Sequence, residues 1–220
     1  MSPSWGGNAI SMGSPQTMNS LWRDYPHAVL QAFRQVAGNF KMVGNSEIGH
    51  SSIGAGKIVF QDLERISNSI RDKTFFQNTA LVEACRNALS YNSSLHLIGL
   101  VSDGGIHSHI EHLYALLRLA KFYNLPKVYI HIITDGLDTD STSALDFVVH
   151  LQKMIAEIGI GEIATITGRS FAMNRDSHWE NITKSLQAMI HGVGNFSESA
   201  TEAVSDAYKT GITDQFISPT

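Results

Sequence analysis

The second half of the chain alternates short apolar runs with amphipathic segments, and this alternation is the strongest constraint on its fold. The apolar runs are Leu95 to Val101, Val128 to Ile133 and Glu162 to Thr167. Each is short enough for a strand, and each is followed by apolar positions that recur at helical spacing. Strands that alternate with helices predict an α/β fold, in which a sheet and its crossover helices form three layers. We expect Leu95 to Val101 to be buried on both faces of that sheet.

The helices of this predicted fold follow from the spacing of the apolar side chains. Three helix faces are formed by Ile110, Leu113, Leu117 and Ala120, by Ala144, Val148, Leu151, Ile155 and Ile158, and by Trp179, Ile182, Leu186 and Met189. A last helix is predicted from Glu198 to Lys209. Polar residues gather directly after the strands, at the edge where open α/β sheets bind their ligands.

The first sixty residues have a different pattern. They contain one predicted helix, near Pro26 to Ala37, and a serine- and glycine-rich stretch, but no predicted central strand. A segment with so little sheet does not easily bury its apolar surface by itself, so we expect it to be a piece of a larger domain. The sequence therefore predicts two domains, residues 1–60 and 61–220, joined near Gly56 to Gln61.

Composition excludes several classes of protein. With 220 residues, of which 43% are hydrophobic and 16% charged, the chain can bury a substantial core. A net charge of -4 and scattered Lys and Arg argue against nucleic-acid binding. No run is long enough to span a membrane, and no basic segment followed by an apolar stretch opens the chain. Cys85 is the sole cysteine and is predicted to be a buried, unreactive thiol, so we expect a cytoplasmic protein.

The heptapeptide GNSEIGH places Ser46 among glycines and polar residues. A serine hydroxyl is a poor nucleophile at neutral pH unless a base, a metal ion or fixed donors activate it. Reactive serines therefore usually lie on tight turns that glycine permits. The alternative is a glycine turn in which the serine hydrogen-bonds to its own backbone. Both interpretations predict a loop at this point of the chain.

The segment SDGGIHSH, residues 102–109, permits three interpretations. Asp103, His107 and His109 could share a metal ion, although such a site needs three or four converging ligands. One histidine could instead exchange a proton with a phosphate or hydroxyl group, because its ordinary pKa lies near neutrality. The third interpretation is a structural glycine turn.

Two further polar segments follow the other predicted strands. In TDGLDTD, Asp135 and Asp138 could bind hydroxyl groups or a hard cation, and Asp140 is expected to cap the following helix. In TGRSFAMNRD, Arg169 and Arg175 could bind a carboxylate or phosphate, or form salt bridges with Asp176 or Glu180. Together the loops predict a site for a small, anionic, hydroxylated substrate.

Four motifs, in this order, resemble those of cofactor-independent phosphoglycerate mutase. The family carries loops of the types GNSEVGH, SDGGVHSH, DGRDT and GRYYAMDRD. This chain has GNSEIGH at 44–50, SDGGIHSH at 102–109, DGLDT at 135–139 and GRSFAMNRD at 168–176. Weaker similarity extends through IGAGKIVFQDL at 53–63 and TDQFISPT at 213–220, so the resemblance covers nearly the whole chain.

The resemblance implies an isomerase that interconverts 3-phosphoglycerate and 2-phosphoglycerate through a phosphoserine intermediate. Ser46 would be the nucleophile and a metal ligand, on a piece of an alkaline-phosphatase-like domain that binds two manganese ions. His107 would contact the phosphoryl group or the substrate, and Asp138 would act on the glycerate hydroxyls as acid or base. Arg169 and Arg175 would bind the anionic groups of the substrate, within a phosphotransferase domain.

The sequence also departs from the family pattern. Leu137 replaces the arginine of DGRDT, Asn174 replaces an aspartate, and Ser170 and Phe171 replace two tyrosines. Relative to the family, the first strand with its metal-binding aspartate and the C-terminal metal ligands have no counterpart in these residues. We therefore expect activity to require further segments, which a separately encoded remainder of the enzyme could supply. The alternatives are a non-catalytic domain that binds phosphoglycerate or a partner, and a decayed gene product.

Overall fold

The computed structural model describes residues 7–29, 34–35, 41–42 and 46–220. Contacts within the chain divide it into two compact units, residues 1–57 and 58–220. The predicted domain boundary after residue 60 lies close to this division. That the first unit belongs to a phosphatase-like, metal-binding domain stays a prediction.

The first unit contains short elements. Its helices are α1 (Ala9–Met12), α2 (Gln16–Asp24) and α3 (Ser46–Ala55), and its strands β1 (Arg34–Gln35) and β2 (Lys41–Met42) pair antiparallel. The helix predicted near Pro26 to Ala37 is wrong wherever this stretch is described, because residues 26–29 are irregular and Arg34 and Gln35 form a strand. The helix lies earlier: α2 ends at Asp24, and the next residue, Tyr25, has the extended backbone that the following proline requires.

The serine motif differs from its prediction as well. Ser46 is the first residue of helix α3 and does not lie on a loop. Gly44 and Asn45, which precede it in the motif, lie outside the described residues. The sequence of α3, SEIGHSSIGA, is rich in glycine and serine, which are poor helix formers, and for this reason the motif predicts a turn.

The second unit consists of an alternation of helices and strands. Its helices are α4 (Asp62–Arg71), α5 (Thr79–Ser90), α6 (Ile110–Phe122), α7 (Ala144–Ile158), α8 (Arg169–Ala172), α9 (Trp179–His191) and α10 (Ala200–Lys209), with 3₁₀ turns at Thr74–Gln77 and Asp214–Phe216. Its strands are β3 (Leu95–Leu100), β4 (Val128–Thr134) and β5 (Glu162–Gly168). Among the described residues, no helix is both long enough and apolar enough to cross a membrane.

The three strands form one parallel sheet with the order β3, β4, β5. The predicted α/β fold, with a parallel sheet and crossover helices, is confirmed. Strand β4 lies in the centre, and six of its seven residues are buried. Burial of β3 on both faces is wrong, since Ile98 is 60% exposed. An apolar run cannot distinguish one covered face from two, and the described helices leave the Ile98 side of this strand open.

The core lies between one face of the sheet and four helices, α5, α6, α7 and α10. Leu97, Ile130, Ile132 and Ile166 supply the strand side chains, and α6, α7 and α10 supply Tyr114, Leu117, Val148, Leu151 and Val204. Cys85 is 2% exposed in the same core. Burial raises the pKa of its thiol, in agreement with the predicted unreactive cysteine.

The C-terminal segment TDQFISPT, residues 213–220, is tied to the ends of β4 and β5. Ile166 and Thr220 exchange two backbone hydrogen bonds of 3.0 Å, and the Gly168 N–H donates to the carbonyl oxygen of Ile217 at 2.7 Å. A Cβ atom on Gly168 would lie 2.5 Å from the Gln215 carbonyl oxygen, closer than real Cβ atoms approach. Glycine at this position therefore allows the segment to pack against β5.

Asp214, within this segment, caps the N-terminus of α7. Its Oδ2 atom accepts hydrogen bonds from the N–H groups of Ser143 and Ala144 at 2.9 and 2.8 Å, and its Oδ1 atom accepts one from the Tyr208 hydroxyl. The prediction that Asp140 caps this helix is wrong, because Asp140 is exposed and its side chain makes no capping bond. A carboxylate 71 residues away along the chain takes that place.

Substitution of Asp214 by alanine is expected to lower the free energy of unfolding by about 2 to 4 kcal/mol, because it removes a helix cap and leaves the part-buried Tyr208 hydroxyl without its acceptor. Urea denaturation measures this difference. Asp206→Ala is the matched control, since its exposed carboxylate pairs with Lys209 and with no other described residue, and its effect is expected to stay within about 0.5 kcal/mol. Equal effects of the two substitutions would contradict this role of Asp214.

Candidate functional site

Three polar segments follow the carboxyl ends of the parallel strands. Residues 102–109 follow β3, residues 135–143 follow β4, and α8 follows β5 directly. Parallel strands bring their carboxyl ends to the same edge of a sheet, so the three predicted loops meet there. The contacts between them define a site around a single guanidinium group.

Arg169, the first residue of α8, lies between two aspartates of the loop after β4. Its Nη1 atom donates to Asp135 Oδ1 at 2.5 Å and to Asp138 Oδ2 at 2.8 Å. The Arg169 side chain is 7% exposed, and the Asp135 and Asp138 side chains are 2% and 11% exposed. The predicted alternative, a salt bridge from Arg169 to Asp176 or Glu180, is wrong.

Asp135 accepts hydrogen bonds on both of its carboxylate oxygens. Oδ2 accepts from the Ser102 hydroxyl at 2.6 Å, and Oδ1 accepts from the N–H groups of Leu137 and Asp138 at 3.2 and 3.0 Å in addition to Arg169. Burial disfavours the charged carboxylate, but the bonds from Ser102, Asp138 and Arg169 outweigh that effect. They hold the pKa of Asp135 below its ordinary value.

Two glycines allow these loops to approach each other. A Cβ atom on Gly104 would lie 2.9 Å from Asp138 Cβ and 3.4 Å from Asp135 Oδ2. Gly136 has φ +69°, and a Cβ atom there would lie 2.8 Å from Asp214 Cβ. Both glycines of the motifs are therefore required by close packing, one toward the site and one toward the C-terminal segment.

His107 lies at the edge of this cluster. Its Nε2 atom is 3.9 Å from Asp138 Oδ2, and its side chain is 40% exposed. This separation is longer than a hydrogen bond. The two groups can be linked either by a small movement of the imidazole ring or by a ligand atom that bridges them. His107 is therefore a solvent-accessible histidine beside a carboxylate that Arg169 holds in place.

The structure brings three of the five predicted site residues together: His107, Asp138 and Arg169. Arg175 is exposed in the loop after α8, and no hydrogen bond or ion pair joins it to a described residue. The side chain of Ser46 lies outside the described part of the structure, and Ser46 belongs to the other compact unit. The roles assigned to all five residues stay predictions.

Two residues that depart from the family motifs, Asn174 and Leu137, also have defined positions. Asn174 Oδ1 accepts hydrogen bonds from the N–H groups of Asp176 and His178 at 3.0 and 3.2 Å. An aspartate could accept the same two bonds, so the exchange to asparagine preserves this turn. Leu137, in the position of the family arginine, is 60% exposed and contributes to the site only through its backbone N–H.

Sequence reasoning left the roles of Asp135 and Ser102 open or unassigned. Asp135 is considered only as one of two possible hydroxyl or cation ligands, and Ser102 is not assigned a role. Both directly follow buried strand residues, and a polar residue at the end of a buried strand was the available signal. The side-chain partners of Asp135, Ser102 and Arg169, belong to other segments, and sequence spacing does not indicate that these segments converge.

His109 has a structural role. It is 9% exposed at the start of α6, and its Nδ1 atom accepts a hydrogen bond from the Glu111 N–H at 3.2 Å. Burial, reinforced by the nearby His112, lowers the pKa of His109 from 6.5 to about 4. Among the residues that the structure describes, no group of three His, Cys, Asp or Glu side chains could hold a metal ion. A metal site from Asp103, His107 and His109 is therefore not formed.

Because the folded protein holds His109 neutral, its contribution to stability is complete above pH 6.5 and is lost as the pH falls toward 4. We expect His109→Asn, which keeps a capping side chain but does not titrate, to reduce the fall in unfolding free energy over this range by about 2 to 3 kcal/mol. Chemical denaturation at a series of pH values measures the difference. His178→Asn is the control at an exposed position; identical pH profiles for the wild type and His109→Asn would contradict the assignment.

Comparisons with known proteins agree with the sequence motifs. The family model described as BPG-independent PGAM N-terminus matches residues 66–220. The 2,3-bisphosphoglycerate-independent phosphoglycerate mutases of Clostridium perfringens strain 13 and Moorella thermoacetica are 47% and 46% identical to this chain over its whole length. The corresponding protein of Clostridium tetani is 43% identical over 97% of the chain.

A solved structure supports the same relationship. The crystal structure of Leishmania mexicana phosphoglycerate mutase at low cobalt concentration matches with a TM-score of 0.72 and 30% identity, over 80% of this chain and 34% of that one. The chain spans 42% to 43% of the length of the curated relatives. Because the family model matches well over half of its residues, the chain belongs to the family of 2,3-bisphosphoglycerate-independent phosphoglycerate mutases.

Proposed function

We propose that this chain supplies the substrate-holding part, and the phosphoryl-accepting Ser46, of an isomerase that interconverts 3-phosphoglycerate and 2-phosphoglycerate in the cytoplasm. The observation that carries the proposal is the convergence of His107, Asp138 and Arg169 at the carboxyl edge of the sheet. The loops after β3 and β4 and the helix α8 after β5 each contribute one group that can bind an anionic or hydroxylated ligand. The names of the relatives support phosphoglycerate as that ligand.

Arg169 is suited to bind a carboxylate or phosphate of the substrate. Both of its hydrogen bonds to aspartates use Nη1, and its Nε and Nη2 atoms make no hydrogen bond to a described residue. A guanidinium group offers five donors in one plane, so it can bind an anion while its pairing with the aspartates persists. Arg175 is the second proposed anion-binding group, and its exposed side chain has no competing partner among the described residues.

Asp138 and His107 are proposed to exchange protons with the glycerate hydroxyls. In the proposed reaction, the Ser46 hydroxyl gives up its proton and its oxygen bonds to phosphorus as the bond from phosphorus to the glycerate oxygen breaks, and that glycerate oxygen takes up a proton. The reverse transfer then places the phosphoryl group on the other hydroxyl, which loses its proton. A carboxylate fixed by Arg169 beside an accessible imidazole can accept and return this proton.

Leu137 is expected to weaken substrate binding relative to a family member with arginine. Its exposed side chain offers no charge to a doubly charged ligand. A hydrogen bond to a charged group contributes about 1.5 to 3 kcal/mol, so its absence corresponds to roughly ten- to a hundredfold in affinity.

The two manganese ions implied by the family resemblance remain a prediction for the whole protein. The described residues do not fit such a centre, because they hold no cluster of three metal-ligating side chains. Ser46 stays the one proposed metal ligand in this chain, and no step above depends on a metal ion. The remaining ligands would come from segments that the longer relatives have, on the same or a separate polypeptide.

A non-catalytic phosphoglycerate-binding domain is the second candidate function. It is favoured by one observation: His107, Asp138 and Arg169 all belong to the unit of residues 58–220, whereas Ser46 does not. That unit could hold a ligand without performing the transfer.

Calorimetric titration with 3-phosphoglycerate tests the binding common to both candidates. We expect saturable heat at millimolar ligand for the wild type and its loss in Arg169→Gln. Arg65→Gln on α4, whose exposed guanidinium pairs with Asp62, is the matched control and should bind as the wild type does. Absence of heat for the wild type would contradict both candidates.

A turnover assay with manganese and 3-phosphoglycerate separates the requirement for further segments from binding. We expect the chain by itself to form no measurable 2-phosphoglycerate while it still binds ligand. Turnover at a rate normal for an enzyme of this kind would show that no further segment is needed, and binding without turnover even after the remaining segments are supplied would favour the non-catalytic domain.

A further inference from the structure

We propose that Asp135 is a positioning residue of this site, which holds Arg169 and the Asp138 loop in the arrangement that binds substrate. The inference rests on the proposed function for its substrate, but the contacts that carry it are independent of any ligand. Asp135 is 2% exposed, so it lies beneath the surface that a ligand could reach.

Burial, together with its hydrogen bonds, keeps Asp135 from direct contact with a substrate. Oδ1 accepts from two backbone N–H groups and from Arg169, and Oδ2 accepts from the Ser102 hydroxyl at 2.6 Å. A carboxylate with four donors around it is satisfied. Its effect on a ligand must therefore act through the groups that it holds.

These bonds extend beyond those of an ordinary aspartate turn. A turn of that type requires only the bonds from the N–H groups of Leu137 and Asp138 to the preceding carboxylate. Asp135 additionally binds Ser102, which follows β3, and Arg169, which follows β5. It is thus the one described carboxylate that links the ends of all three strands of the sheet.

Asp135 also limits how strongly Arg169 pairs with Asp138. The Nη1 atom of Arg169 is shared between the two carboxylates, at 2.5 and 2.8 Å. If Asp135 did not carry a charge, Arg169 would be free to pair fully with Asp138 alone. The group proposed to bind the substrate anion and the group proposed to exchange its proton would then neutralise each other.

The first arm of the test needs no ligand. In the nitrogen-15 NMR spectrum, the Nη1 protons of Arg169, assigned by their loss in Arg169→Lys, should be resolved in the wild type because two hydrogen bonds restrain them. Asp135→Asn should cause these signals to average with the other guanidinium protons. Asp140→Asn, an exposed aspartate of the same loop, is the matched control and should leave them unchanged. Persistence of the resolved signals in Asp135→Asn would overturn the proposal.

The second arm measures 3-phosphoglycerate affinity and thermal unfolding on the same samples. We expect Asp135→Asn and Ser102→Ala to weaken binding about tenfold or more, with cooperative unfolding retained, and Asp140→Asn to bind as the wild type does. A loss of thermal stability with an unchanged dissociation constant would mean that Asp135 has only a structural role, and would overturn the proposal. Ser102→Ala removes only the bond to Asp135 and a longer one from the Gly104 N–H at 3.3 Å, so it answers the question even if Asp135→Asn does not fold.

The two arms also separate this proposal from the proposed function. If the wild type binds no 3-phosphoglycerate but Asp135→Asn releases Arg169 in the NMR spectrum, the proposed substrate is wrong and the positioning of Arg169 by Asp135 stands. If the wild type binds and Asp135→Asn changes neither measurement, the positioning role is wrong and the proposed function stands.

Discussion

The ion pair of one buried guanidinium with two carboxylates is the interaction on which the candidate site depends. Arg169 and Asp135 are 7% and 2% exposed, so both charged groups are buried and each compensates the charge of the other. Removal of one partner of such a pair typically costs about 3 to 5 kcal/mol, because an uncompensated charge remains buried. The loop after β4 and the start of α8 therefore cannot change position independently.

The C-terminal segment, residues 213–220, packs against the ends of the strands that carry this site. The Asp214 carboxylate caps α7 and accepts a hydrogen bond from the Tyr208 hydroxyl. Its backbone carbonyl oxygen accepts a further hydrogen bond, at 2.6 Å, from Oγ1 of Thr134 at the end of β4. Gly136 and Gly168 lack the side chains that would displace this segment. The packing of residues 213–220 thus fixes the two strand ends from which Asp135 and Arg169 extend, which connects the fold to the geometry of the site.

The sequence predicts the three strands and the helices α6, α7, α9 and α10, because buried strands and amphipathic helices have distinct apolar spacings, but the segment that begins at Arg169 is the short helix α8 and not the expected loop. Two elements of the first unit differ from the expectation: α3 begins at Ser46 in spite of two glycines in its sequence, and α2 precedes Pro26 where a helix is expected after it. Asp140 is the expected cap because the sequence predicts a helix that begins near Ser141, but α7 begins at Ala144 and Asp214, 71 residues away from Ser143 along the chain, caps it.

Site residues were predictable to the extent that they occupy recognisable motifs. His107, Asp138 and Arg169 come together as expected, but their supporting contacts do not follow from spacing. The bond from Ser102 to Asp135 joins two loops, and nothing in either motif indicates which carboxylate lies beneath the surface. Arg175 matches its motif equally well and is nevertheless exposed, so membership of a motif does not establish convergence.

The central claim is that Asp135 and Arg169 act as one unit that orders the carboxyl edge of the sheet. A double-mutant cycle with Asp135→Asn, Arg169→Gln and the combined variant, measured by chemical denaturation, tests it most directly. Residues in direct contact are expected to show a coupling free energy of about 1 kcal/mol or more. Effects that add to within about 0.5 kcal/mol would contradict the account.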